Sequence, residues 1–145
     1  MLKRKARKTS ALLVCAGLAL CARWGGAADV RGKAGAGTGL AYGSPLPGVG
    51  AELELGEHVS MLGGVGVLAA ETTWSYGVRV YFQGRERKFR PHVSLFQWTE
   101  GNGVYVGVDH DVGKPSGFNL TYAVGYGDVN LEGRVALTFG VGYRF

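Results

Sequence analysis

Residues 135–145 alternate without a break. Val135, Leu137, Phe139, Val141, Tyr143 and Phe145 fall on one parity, and Ala136, Thr138, Gly140, Gly142 and Arg144 fall on the other. Successive side chains of an extended strand point to opposite faces, so this stretch has one apolar face and one small or polar face. The same period recurs upstream, and eight segments carry it: 30–42, 49–55, 59–69, 74–83, 89–98, 104–112, 118–127 and 131–145. Turn-forming clusters such as GSPLPG, QGRERK, TEGNG and GKPSG separate them. No stretch repeats apolar residues at i, i+3 and i+4, so the chain is expected to be all-β, a single domain of antiparallel strands.

The alternation has local faults. In the third segment Val59, Met61, Val65, Val67 and Ala69 share a parity, but Leu62 and Leu68 stand on the other. In the fifth, Phe89, Val93 and Leu95 oppose Arg90, His92 and Ser94, while Pro91 cannot donate to a ladder and Phe96 breaks the pattern.

The N-terminus reads differently. Lys3, Arg4, Lys5, Arg7 and Lys8 form a basic head, followed by an apolar run over 11–22 that is too short to span a bilayer as a helix. Gly26 and Ala28 then offer small residues before Asp29. Basic head, short apolar middle and small-residue exit are the parts of a secretory signal, so residues 1–28 are expected to be removed and 29–145 to form the folded domain. Six of the sixteen Lys and Arg would leave with the signal, the five of the head and Arg23, and none of the eleven Asp and Glu. The remaining ten basic and eleven acidic residues give a net charge of −1, which removes the basis for a nucleic-acid partner. Both cysteines, Cys15 and Cys21, would leave too, so no disulfide or thiolate site is expected. Leu20 before Cys21 is not the small residue that a lipoprotein signal wants.

Alternating strands suit a soluble barrel with its apolar parity inward, or an outer-membrane barrel with that parity outward. The second parity here is rich in Gly, Ala, Ser and Thr with occasional charges, which fits a narrow interior better than a wet surface. With both termini on the periplasmic side, Tyr42, Trp74, Tyr76, Trp98 and Tyr126 fall at the outer end of their strands. Phe82, Phe89, Phe118, Tyr143 and Phe145 fall at the periplasmic end. Two aromatic girdles are expected of a membrane barrel. An even strand count also lets the sheet close without an edge. The expected fold is an eight-stranded antiparallel up-and-down transmembrane β-barrel in the cell outer membrane.

The terminal strand with Phe139, Val141, Tyr143 and Phe145 resembles the C-terminal signature of bacterial outer-membrane proteins. That resemblance implies the barrel-assembly machinery as a partner, beside outer-membrane lipid. From about Asp29 to Phe145 the chain resembles the small eight-stranded barrels of the OmpA and OmpX type, with the difference that its outer loops are short.

The interior parity carries Arg31, Lys33, Arg79, Arg90 and Arg134, and Glu52, Glu54, Asp109, Asp111 and Glu132. Five positive and five negative groups suggest a salt-bridge network that plugs the lumen rather than a selective pore, because unpaired buried charge is costly. In the DHD triplet period two separates His110 from Asp109 and Asp111, which argues against joint metal chelation. His92 and Ser94 share a face, and an adjacent base can activate a serine for acyl transfer. Lipid A deacylases of the outer membrane carry a His-x-Ser followed by Asn. Here Leu95 follows, and Glu100 is the nearest Glu by sequence. The GRERK turn reads as a solvated basic hairpin turn. The leading expectation is a non-enzymatic, monomeric structural barrel, at most a very narrow channel, with no cofactor and no metal. The alternatives are a lipid A deacylase-like hydrolase using His92 and Ser94, and a soluble periplasmic ligand-binding barrel.

Overall fold

A computed structural model of the chain describes residues 31–38, 47–68, 71–99, 101–113, 117–129 and 132–145. The expected signal over 1–28, with Cys15 and Cys21, lies outside them, as do Tyr42, Ala69 and Glu100.

Eight strands run in order: β1 Arg31–Thr38, β2 Gly48–Glu54, β3 Val59–Leu68, β4 Glu71–Tyr81, β5 Phe89–Trp98, β6 Gly101–Asp111, β7 Phe118–Val129 and β8 Glu132–Arg144. Each pairs antiparallel with its sequence neighbours, and β8 returns to β1, closing an eight-stranded barrel. The closing seam runs from Lys33 opposite Arg144 to Thr38 opposite Phe139. Phe145 extends it: Gly32 N donates to Phe145 O at 3.2 Å and Phe145 N donates to Gly32 O at 3.0 Å. The mouth where β1 begins and β8 ends is called the terminal mouth below, and the opposite one the distal mouth.

The strand alternation sorts side chains cleanly. Among the described residues 24 large apolar side chains are exposed and five are buried. The outward row of β8 shows it best: Leu137 is 80 % exposed and Val135 73 %, while Arg144, on the other parity, is 1 % exposed. Phe82, Phe89, Phe118, Tyr143 and Phe145 are exposed around the terminal end, and Trp74, Tyr76 and Tyr126 around the distal end. Trp98 is a correction. It shares parity with Arg90, His92 and Ser94, and it lies inside the barrel at 5 % exposure instead of in the distal girdle.

Eight strands leave an interior just wide enough for side chains to fill it. The distal half is filled by Leu62, Phe96, Trp98 and Tyr105, with Ala123 and Ala136 packed against them. Phe96 and Tyr105 meet edge to face at 5.9 Å. The irregular Leu62 and Phe96 are thus inward residues of a small apolar layer. Glycine makes room for it: a Cβ at Gly127 would fall 2.6 Å from the Trp98 ring, and one at Gly103 would fall 2.9 Å from it. Pro91 is tolerated because it lies one residue beyond Tyr81–His92, the last β4–β5 pair. Its carbonyl still accepts from Phe82 N at 2.9 Å, and its missing N–H falls where the ladder gives way to the turn.

Candidate functional site

The terminal half of the interior is polar throughout. Lys33 on β1, Glu52 and Glu54 on β2, Ser60 on β3, Arg79 and Tyr81 on β4, Arg90, His92 and Ser94 on β5, Asp109 and Asp111 on β6, Asn119 and Thr121 on β7 and Arg144 on β8 are all buried. Inward parity brings each into the lumen, and the alternating strand directions bring them all to one end.

Tyr81 stands at the centre. Its hydroxyl lies 2.5 Å from Glu52 Oε1 and 2.6 Å from Asp109 Oδ2, and it accepts from Lys33 Nζ at 2.7 Å. The Arg90 guanidinium carbon lies 3.7 Å from the centroid of the Tyr81 ring, a cation–π contact in a water-poor space. Around this hub the ions pair in two tiers. In the inner tier Lys33 meets Asp109 and lies 3.3 Å from Glu52, and Arg79 lies 2.9 Å from Glu52 and 3.4 Å from Asp109. Ser60 donates to Glu52 at 2.5 Å and Thr121 to Asp109 at 2.6 Å. In the outer tier, nearer the terminal mouth, Arg90 lies 2.6 Å from Glu54, Arg85 3.3 Å and Arg144 3.4 Å. Arg144 also pairs with Asp111, which accepts from Asn119 at 2.8 Å. Buried charges persist when they are paired and hydrogen-bonded: Glu52, Asp109 and Asp111 each have a cation and a neutral donor, and Glu54 is held by cations, with Arg90 donating to it.

Of the ten charges singled out from sequence, Lys33, Glu52, Glu54, Arg79, Arg90, Asp109 and Asp111 gather in this cluster. Arg31 is half-buried at the terminal mouth. Arg134 is exposed and does not belong to the buried cluster. It precedes Phe139 on β8, on the distal side of the seam, where among the described residues there is no pairing with β1 and only the β7–β8 hairpin continues. The Glu132 side chain lies outside what the structure describes. Six members were missed, among them the hydrogen-bonding Ser60, Asn119 and Thr121. Tyr81 and Arg144 have the inward parity and could have been counted from it. Arg85 belongs to the GRERK turn, where period two gives no face, and it is buried instead of solvated.

His92 and Ser94 do come together: His92 Nδ1 and Ser94 Oγ are 3.3 Å apart. His92 Nε2 lies 3.5 Å from Asp109 Oδ1, so β6 brings an acid beside the histidine. Arg79 Nε donates to Ser94 Oγ at 2.9 Å, and both His92 and Ser94 are 0 % exposed. His110 points the other way and stacks outside on Phe89, ring centroids 4.3 Å apart, which separates it from Asp109 and Asp111.

The arrangement can hold charge rigidly across the lumen and fill one half with ions and the other with rings. The chain matches no protein-family model and no curated protein sequence. Fold and site together define the class: a closed eight-stranded antiparallel β-barrel with an ionic interior and an apolar exterior.

Proposed function

We propose that the protein is an outer-membrane β-barrel, exported by its N-terminal signal, whose role is structural and whose lumen is closed. The observation that carries this reading is its reversed polarity. Lys33, Arg79, Arg90 and Arg144 are buried to within 1 % while Leu137, Val135, Phe118 and Phe82 stand 62 % exposed or more. Contiguous apolar surface on this scale is rare on a soluble monomer and is what hydrocarbon requires of a spanning barrel. Closure of β8 on β1 supports it as well, since lipid tolerates no unpaired sheet edge. The two bands of exposed aromatics fit the two interfaces of a bilayer. The terminal strand adds the feature that an assembly machinery would read, with Phe139, Val141, Tyr143 and Phe145 all exposed. A soluble ligand-binding barrel would need the opposite sorting of side chains.

The hydrolase reading has its spacing but not its access. A nucleophile must meet substrate, and Ser94 is wholly buried with its oxygen held by Arg79. The test is location. Cells expressing the chain with its own N-terminus should carry it in the outer-membrane fraction. A stable monomeric pool in the soluble periplasmic fraction would overturn the proposal.

A further inference from the structure

We infer that the β4–β5 turn is a latch on the terminal mouth, and that Arg85 is the bolt that keeps the ionic half of the lumen shut. The inference rests on the barrel alone and holds whether or not the barrel lies in a membrane.

The cluster takes one of its five buried cations from outside the strands. Its strands supply four buried cations, Lys33, Arg79, Arg90 and Arg144, and four buried carboxylates, Glu52, Glu54, Asp109 and Asp111. Those eight groups balance. Arg85 is a fifth buried cation, and it comes from the turn between β4 and β5. Removing a strand-borne carboxylate would widen the excess of buried cations, which is costly. Withdrawing Arg85 leaves four strand-borne cations facing four strand-borne carboxylates.

Its partner is suited to release. Arg85 Nη2 donates to the Glu54 carbonyl at 3.0 Å, and Nε lies 3.3 Å from the Glu54 carboxylate. The same carboxylate has Arg90 at 2.6 Å, Arg144 at 3.4 Å and Lys33 at 3.5 Å, so Glu54 stays compensated when Arg85 leaves. Glu86, Arg87 and Lys88 beside it are exposed, so the tip of the turn is in water even when the bolt is home. The turn is pinned at its flanks, by Phe82 N to Pro91 O at 2.9 Å and Asp111 N to Lys88 O at 2.8 Å, so its tip can swing without loosening the ladder.

Opening has a defined reach. Ser60 is 0 % exposed and lies opposite Glu54 in the β2–β3 register, directly inside the mouth. Beyond the ionic half stands the apolar layer of Leu62, Phe96, Trp98 and Tyr105. Release of Arg85 therefore hydrates the ionic half from one end and gives a blind vestibule, not a channel.

Single cysteines read this directly. The full chain with Cys15→Ser and Cys21→Ser, folded in detergent, carries either Ser60→Cys inside the latch or Ser75→Cys beside the apolar layer. Each is treated with a small water-soluble anionic methanethiosulfonate, and the labelling rate is measured with and without Arg85→Met. Far-UV circular dichroism checks that the barrel is intact. The expected result is at least a tenfold faster reaction of Ser60→Cys when Arg85 is replaced, with Ser75→Cys slow in both backgrounds and Glu86→Ala without effect. Arg85→Lys keeps the charge but cannot span both Glu54 contacts. It should accelerate Ser60→Cys several-fold, and it decides the question if Arg85→Met does not fold. Unchanged labelling of Ser60→Cys would overturn the latch. Equal acceleration at both cysteines would also overturn it, because that is loosening of the whole barrel.

Discussion

Replacing Asp109 by Ala should be among the most damaging single changes in this chain. The carboxylate touches Lys33, lies 3.4 Å from Arg79 and 3.5 Å from His92, and takes the Tyr81 and Thr121 hydroxyls at 2.6 Å each. Its loss would leave the five buried cations facing three carboxylates. Breaking a buried ion pair by removing one partner costs about 3–5 kcal/mol. Lys33 keeps Glu52 at 3.3 Å and Arg79 keeps Glu52 at 2.9 Å, which places Asp109→Ala near the lower end, about 3 kcal/mol. Adding Lys33→Met brings the excess back to the single cation of the unaltered cluster. The double variant should then fall short of the sum of the two single losses by about 1–3 kcal/mol. The assay is urea unfolding of protein folded in detergent, followed by tryptophan fluorescence, with Trp98 reporting from the interior. A loss below about 1 kcal/mol for Asp109→Ala, or strict additivity of the pair, would refute the idea that the lumen is held as one ionic network.

Three further outcomes can be checked. Val124 is exposed at mid-β7 between Val106 and Leu137, so Val124→Arg in lipid should cost about 2–4 kcal/mol near the bilayer midplane, while Thr138→Ser inside should be nearly silent; equal effects would mean the faces are misassigned. Deleting Phe145 removes two hydrogen bonds to Gly32 and should lower stability in detergent by about 1–2 kcal/mol, measured by the same urea assay. The deletion should reduce outer-membrane assembly in cells far more than that stability loss would, and assembly at the unaltered level would remove Phe145 as a recognition feature. Planar-bilayer recording of the reconstituted protein should show little or no steady conductance, since the apolar layer and the ion cluster fill successive halves of the lumen, and large ion-selective openings would contradict the closed lumen.

The barrel was legible because period two is a strong signal over long strands. Val135, Leu137, Phe139, Val141, Tyr143 and Phe145 declare one face, and the parity of Arg79, Arg90, Asp109 and Asp111 declares the other. Local chemistry misled where residue type was read ahead of parity. Trp98 is an aromatic at a strand end, but its place two residues after Phe96 puts it inside with Ser94 and His92. What sequence could not give was depth along the lumen. Arg134 and Arg144 share a parity on one strand, yet one is exposed and the other buried, because the length of the neighbouring pairing decides where the lumen ends. Arg85 was out of reach for a different reason: a turn has no faces, and only the three-dimensional path of residues 82–88 carries it back to Glu54. The meeting of His92 with Asp109 depends on the β5–β6 register, in which Arg90 stands opposite Asp109 and His92 is its diagonal neighbour.

The most direct measurement is refolding of the urea-unfolded protein in parallel into lipid vesicles and into aqueous buffer, followed by far-UV circular dichroism and by migration on unboiled gels. An apolar exterior around an ionic lumen should yield β-structure and a compact, heat-sensitive band only where lipid is present, with aggregation in buffer alone. A soluble, monomeric, cooperatively folded barrel in plain buffer would contradict the assignment of the outward face to lipid.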